Sequence, residues 1–162
     1  MINGQKIYKI NVFITLLSIC SLLLASCSSS SGYRAKSPSH SKHNKIIQVA
    51  KSQLGKPYRF GGLSPKTGFD CSGLINYSYK KVGLSIPRTT TQLYRASKPV
   101  KKRHLKAWDL VFFRINRKKI SHVGLYLGNN RFIHAPSSGK RVNIANLGDK
   151  YWRARFSRGG RI

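Results

Sequence analysis

Hydrophobic residues fall along this chain in three regimes. Apolar side chains dominate from Ile10 to Ala25, and a polar stretch then reaches His43. After it the pattern becomes periodic. Ile46, Ile47, Ala50 and Leu54 recur at three- and four-residue steps and predict one buried helical face, with Asn44 as its cap and Gly55 as its stop. Leu74, Ile75, Tyr77, Ser78, Tyr79 and Val82 repeat that spacing, with Asp70 or Cys71 at the helix start and Gly83 at its end. One of the threonines at 89–91 is placed to cap a short helix through Leu93 and Tyr94. Lys98, Lys101, Lys102, Arg103 and Lys106 then mark a solvated loop.

Beyond Lys106 the period changes. Trp108 to Phe113 is an apolar run of strand length, which reads as a buried strand. Arg114 to Lys119 is a basic loop. Ser121 to Leu127, then Gly128-Asn129-Asn130, then Arg131 to Ala135 read as strand, turn, strand. Val142-Asn143-Ile144 and the alternating segment Tyr151 to Phe156 predict further strands. Helices first and an antiparallel sheet second make an α+β domain over residues 44–162.

The apolar stretch near the N-terminus is too short for a comfortable membrane span. With Lys6 and Lys9 ahead of it, residues 1–26 read as an export signal. It ends Leu24-Ala25-Ser26-Cys27, which resembles the bacterial lipobox, in which the cysteine is lipidated and becomes the mature N-terminus. An ordinary signal cut after a small residue is the other reading. Cys27 is thus the expected lipidation site, and residues 27–43 a Ser-rich tether in which His40 and His43 are solvated. The expected location is the cell envelope. Ser28 after the cysteine points, through the same resemblance, to the periplasmic face of the outer membrane.

Length and charge narrow the chemistry. The 162 residues suffice for one domain with a proper core. Lys and Arg number 31 against 3 acids, for a formal charge of +28. There is no glutamate, and the acids are Asp70, Asp109 and Asp149. A paired-carboxylate glycosidase and an oxygen-ligated magnesium or calcium site are both poorly supplied. The basicity suits an anionic partner, solubility, or both. Nucleic acid is set aside, because the chain reads as exported and shows no base-stacking module or helix-turn-helix.

Cysteine arithmetic isolates one thiol. Cys20 leaves with the signal, Cys27 carries lipid, and Cys71 has no disulfide partner. An unpaired thiol in an oxidising envelope is a liability unless used or buried. At a helix start, Cys71 faces unpaired N–H groups and the positive end of the dipole, surroundings that bring a thiol to roughly 3.5–7.5. A lone helical cysteine also reads as a small buried apolar residue.

A base would have to come from the hairpin. With a three-residue loop at 128–130, Gly124 faces His134. His122 and His134 are then diagonal neighbours on one face, roughly 7–8 Å apart. A two-residue Asn129-Asn130 loop would put them on opposite faces. The first register leaves room at Gly124 and turns Val123, Leu125 and Leu127 away. Cys71 as nucleophile, His122 as base and His134 as orienter is then the expected set. Half-exposed strand histidines, or a Cys-His-His zinc site with an open position, remain as other readings. The expectation is no metal and no cofactor.

Phe69-Asp70-Cys71-Ser72-Gly73-Leu74, Ser121-His122-Val123-Gly124 and Phe132-Ile133-His134-Ala135 resemble the three motifs of the NlpC-type family of bacterial cell-wall cysteine endopeptidases. Pro57 to Gly62, Ile86 to Thr89 and Asp109 to Phe113 resemble further family segments. The resemblance implies a reduced papain-like α+β fold, its cysteine helix packed on an antiparallel sheet. It implies Cys71 as nucleophile, His122 as base and His134 as the third polar residue. Tyr58 would lie near the thiol with its hydroxyl toward the oxyanion or substrate. Asp70 and Ser72, which flank the sulfur, are expected with Tyr58 and Arg88 at the oxyanion or substrate, and Arg88 or Arg59 is suited to hold a substrate carboxylate. The implied reaction is hydrolysis of an amide in peptidoglycan stem peptides or crosslinks, at D-glutamyl–diaminopimelate or diaminopimelate–D-Ala. The implied agent is a monomer anchored to the membrane through Cys27. The alternative is a non-catalytic murein-binding envelope lipoprotein of the same fold. Phe60 stands where the family commonly has Trp, and Trp108 where Gly usually precedes the Asp.

Overall fold

The computed structural model describes residues 38–116 and 118–162. The signal 1–26, the lipidation site Cys27 and most of the tether lie outside the described residues.

The first helix, α1, spans Pro38–Lys51, so it begins well before Asn44. His43, expected to be solvated, instead stacks on Trp108 with ring centroids 4.2 Å apart and planes 3° from parallel. The last residues of the supposed tether, from Pro38 on, therefore belong to the folded unit. Trp108 holds φ +79°, a conformation in which glycine is unstrained.

Two short strands, β1 (Leu63–Ser64) and β2 (Gly68–Phe69), pair before α2 (Cys71–Lys80). Asp70 is the N-cap of α2, with φ −86° and ψ 175°, and accepts from the Gly73 N–H. Such a cap contributes about 1 kcal/mol. Helix α3 (Thr90–Ala96) starts at Thr89, whose side chain forms a capping box with Gln92.

The remaining chain builds a six-stranded antiparallel sheet in the order β3-β8-β4-β5-β6-β7. Its strands are β3 (Lys98–Val100), β4 (Leu110–Phe113), β5 (His122–Gly128), β6 (Arg131–His134), β7 (Asn143–Asn146) and β8 (Phe156–Arg161). Two expectations fail here. The basic run at 98–106 is not all loop: Lys98–Val100 is an edge strand on β8, and a 3₁₀ turn follows at Lys102–His104. Lysine and proline are the residues an edge tolerates, which disguised it as loop. The alternating segment Tyr151 to Phe156 is not a strand. Lys150–Arg153 forms a short helix, α4, and the strand begins at Phe156. Trp152 decides this, because it turns inward onto Phe113 at 4.8 Å.

Strand β4 is buried on both faces, which is why its sequence is a continuous apolar run. Leu110 and Phe112 join Leu74, Ile75 and Tyr79 of α2 and Ile46 and Ala50 of α1 in the main core. Val111 and Phe113 join Tyr126, Phe132 and Leu147 in a second core on the opposite face. Asp109, fully buried, receives two hydrogen bonds at 2.7 Å from Arg161 and so ties the last strand to the start of β4.

The hairpin reconciles the two registers considered above. Asn129 and Asn130 form a two-residue turn, with φ of +51° and +56°, closed by Gly128 opposite Arg131. That loop alone would separate the histidines. A bulge between Tyr126 and Gly128 absorbs one residue, so Leu125 faces Ile133 and the three-residue register holds at His134. Val123 and Leu125 face the main core as expected. Gly124 does not leave open room, since a Cβ there would strike the Phe132 ring at 2.5 Å.

Candidate active site

Cys71 is the first residue of α2 and is partly buried. Its sulfur lies 3.5 Å from the Thr90 hydroxyl. Burial pushes the thiol up. Hydrogen bonds from Thr90 and from the backbone of Val123 draw it back, the Asp70 carboxylate raises it further, and the Ser72 backbone lowers it. The balance is upward, against the lowering expected of a helix start. The reason is local: burial takes the sulfur out of water, and Asp70, which already caps the helix, adds a smaller push with its own negative charge.

Gly73 is where the helix start meets the loop before it. A Cβ at that position would collide with the Gly62 carbonyl oxygen, which itself accepts the Asp70 N–H at 3.2 Å. Asp70 is the hub of this corner. Its Oδ1 accepts from the Gly73 N–H at 2.6 Å, and its Oδ2 from the Gly61 N–H at 3.0 Å. Arg88 grips both oxygens, at 3.1 and 2.7 Å, and donates to the Ser72 hydroxyl at 2.9 Å. Arg88 is thus paired within the protein, not a free clamp for a substrate carboxylate. Asp70, Ser72 and Arg88 set the position of Cys71 and still line the cleft it faces. That cleft, about 420 Å³, is walled by Tyr58, Phe60, Thr89, Thr90 and Ser121 as well. Burial, with lesser contributions from Cys71 and Asp70, raises the Tyr58 phenol, so it stays an O–H donor. Arg59 is exposed and does not line this cleft.

The histidines come from neighbouring strand ends. His122 opens β5, His134 closes β6, and Asn143 opens β7 opposite His134. Val123, next to His122, is the residue whose backbone bonds the Cys71 sulfur, so the strand end and the helix start meet. His122 Nε2 and His134 Nδ1 are 2.9 Å apart, and His134 Nε2 is 3.1 Å from Asn143 Oδ1. The Asn143 amide nitrogen donates to the Arg141 carbonyl at 3.0 Å, which turns its oxygen toward His134. The network therefore assigns every proton. His134 Nε2 donates to Asn143, its Nδ1 accepts from His122 Nε2, and His122 Nδ1 keeps a free lone pair. That is the tautomer a general base needs.

An aromatic frame encloses the pair. Trp152 stacks beside His122 at 5.6 Å and meets His134 edge-on at 4.8 Å, and Phe113 and Phe132 close the other sides. Burial, with His134 nearby, lowers His122 to about 3. Burial lowers His134 to about 4, with the Asn143 hydrogen bond opposing it and Lys140 adding to it. Both rings are neutral at neutral pH. With the thiol raised, the resting pair is thiol and imidazole rather than thiolate and imidazolium.

Sequence patterning missed Asn143 and Trp152. Asn143 sits in a strand that exposes most of its residues, and Trp152 lay in a segment taken for sheet. A strand register that set position 143 opposite His134 would have found the first. Among the described residues, no group of three His, Cys, Asp or Glu side chains converges as a metal site. His134 spends both ring nitrogens on hydrogen bonds, which leaves the zinc reading without its third ligand.

A helix-start cysteine backed by an antiparallel sheet bearing histidines is a papain-like α+β domain. The chain belongs to the NlpC/P60 family, whose model matches residues 55–161. It is 47% identical over 117 residues to the murein DD-endopeptidase MepH of Escherichia coli, covering 70% of this chain and 42% of that protein. It is 40% identical over 119 residues to the bifunctional muramidase/DL-endopeptidase CwlT of Bacillus subtilis, covering 72% of this chain and 36% of that protein. Among solved structures, a lipoprotein-like NLP/P60 family protein of Staphylococcus aureus superposes with a TM-score of 0.68 at 36% identity, covering 75% of this chain and 41% of that one. The chain spans less than half the length of these relatives.

Proposed function

We propose that this domain is a cysteine endopeptidase of peptidoglycan, hydrolysing an amide bond in stem peptides or crosslinks. The observation that carries the reading is the relay from the Arg141 carbonyl through Asn143 and His134 to His122, which leaves one imidazole lone pair at the strand end that touches Cys71.

The substrate carbonyl enters the cleft beside Cys71. His122 Nδ1 takes the thiol proton as the sulfur bonds the carbonyl carbon, so charge separates only when substrate is present. Backbone N–H groups at the start of α2 and the Tyr58 hydroxyl donate to the oxyanion. His122 returns the proton to the leaving nitrogen, the C–N bond breaks, and a thioester remains. Water, deprotonated by His122, attacks the thioester carbon. The C–S bond then breaks, and the thiol and a free carboxylate are restored.

The bond is an amide to diaminopimelate, at either D-glutamyl–diaminopimelate or the crosslink with D-Ala. The export signal and Cys27 support lipid anchoring in the envelope with the domain facing murein. Digestion of defined muropeptides tests the reading: wild type releases new fragments by mass spectrometry and Cys71→Ala does not. Equal release by both removes Cys71 from the chemistry. Pelleting with murein without cleavage favours a binding lipoprotein.

A further inference from the structure

Strand β4 has two ends, and the chemistry occupies one of them. Phe113, its last residue, pairs with His122, which meets the start of α2 through Val123. Leu110, its first residue, pairs with Gly160, beside Arg161 at the end of β8. The strand sets these ends about 13 Å apart.

The end away from Cys71 carries the basic segment 98–106. Lys98 pairs with Arg161. The His104 carbonyl accepts from Arg161 Nη2 at 3.4 Å, and the Lys106 N–H donates to the buried Asp109 carboxylate at 2.8 Å. Leu105 packs against the second core. The segment is therefore fixed to the sheet, and its charges with it.

Lys98, Lys101, Lys102, Arg103 and Lys106 are all exposed. None of them forms an ion pair among the described residues, where Asp70 is taken by Arg88 and Asp109 by Arg161. Elsewhere the arginines are engaged: Arg155 and Arg158 lie over the Tyr151 and Tyr94 rings, and Arg141 donates to the Gly55 carbonyl. Five cations along an edge strand and a turn, with no acid between them, fit an extended anionic surface.

The entry of the chain selects which surface. Helix α1 joins the fold at this same end, where His43 stacks on Trp108, two residues past Lys106. It then runs toward the catalytic end, where the Gly55 N–H donates to the Val142 carbonyl, next to Asn143. Cys27 lies 11 residues before Pro38, at most about 40 Å of chain. A lipid at Cys27 would hold the basic end, not the cleft, nearest the bilayer.

We propose that this basic rim docks on the anionic headgroups of the membrane that holds the anchor, turning the Cys71 cleft away from lipid and toward the wall. The inference rests on the anchoring in the proposed function. Near an anionic bilayer each Lys or Arg adds roughly fivefold to binding, and a short tether supplies a local concentration on the order of millimolar. A contact too weak to recruit a free protein is then enough to orient a tethered one.

The test uses the mature lipoprotein, its lipid checked by mass spectrometry, in vesicles of phosphatidylcholine alone or with roughly a third phosphatidylglycerol. Acetic anhydride labels exposed amines, and peptide mapping reads each lysine. Lys98, Lys101, Lys102 and Lys106 should label roughly fivefold more slowly on the anionic vesicles, whereas Lys118 and Lys119, exposed at the cleft end of β4, should not change. Salt at about 1 M should abolish the difference. In the Lys101→Gln/Lys102→Gln/Arg103→Gln variant, protection of Lys98 and Lys106 should fall below about twofold with an unchanged urea melt, which separates docking from folding. Equal labelling on both vesicles, or protection at Lys118 and Lys119 instead, overturns the inference and leaves the anchor standing. Protection that needs added murein rather than phosphatidylglycerol assigns this face to the wall and overturns it as well. A Cys27 without lipid overturns the anchor and this orientation together.

Discussion

Acidification should weaken this fold through the two histidines of the relay. In the folded chain, burial holds His122 at about 3 and His134 at about 4. In the unfolded chain both take up protons near their ordinary value of ~6.5. Between those limits the unfolded state binds more protons. Stability is therefore full above about 6.5 and is lost as pH falls. Each ring costs about 1.36 kcal/mol per pH unit, so the pair costs about 4 kcal/mol at pH 5. Against a typical total of about 5–15 kcal/mol, that is a large fraction. Urea melts at pH 8, 7, 6 and 5 measure it, and stopping at pH 5 stays above the ordinary carboxylate range. His134→Gln keeps a donor and an acceptor but removes one titrating ring, so its loss over the same range should be about half, near 2 kcal/mol. Equal wild-type stability at pH 7 and pH 5, or higher stability at pH 5, would refute the neutral buried pair.

Other perturbations read the same structure. Because the resting thiol is raised and the imidazole lowered, iodoacetamide should label native Cys71 slowly at pH 6–7 and faster as pH climbs through the ordinary thiol range. A rate plateau reached below pH 6 would mean a preformed thiolate. Asn143→Leu leaves the His134 Nε2 proton unpartnered, a cost of about 1–3 kcal/mol. Turnover should fall roughly five- to hundredfold with KM little changed, and Asn143→Gln should restore part of it; an unchanged kcat would sever Asn143 from the relay. Arg161→Met strands the buried Asp109 carboxylate and should cost about 3–5 kcal/mol in a urea melt, whereas a change under about 1 kcal/mol would deny that pairing. Gly73→Ala drives a methyl into the Gly62 carbonyl and should cost about 1–3 kcal/mol or more, together with activity, while a neutral outcome would mean the loop can retreat.

Local signals were strong enough in the sequence to place the chemistry. Asp70 before a helical apolar stripe meant a cap, and a cap put Cys71 at a helix start. The run Leu110 to Phe113 meant a strand covered on both faces. Glycine, asparagine and alternating apolar residues meant a hairpin carrying His122 and His134. These depend on a few residues of neighbouring backbone, so periodicity and turn chemistry carry them. What the sequence could not decide depends on partners distant along the chain. The bulge beside Leu127 returned the histidines to one face only because that face is packed. His43 joined the fold because Trp108 offered it a ring, and Tyr151-Trp152 formed a helical turn because the tryptophan had an aromatic pocket to fill. Arg88 belongs to Asp70, Asn143 to His134, and Cys71 is a raised thiol instead of a resting thiolate, because burial and charge act across space and leave no period in the chain.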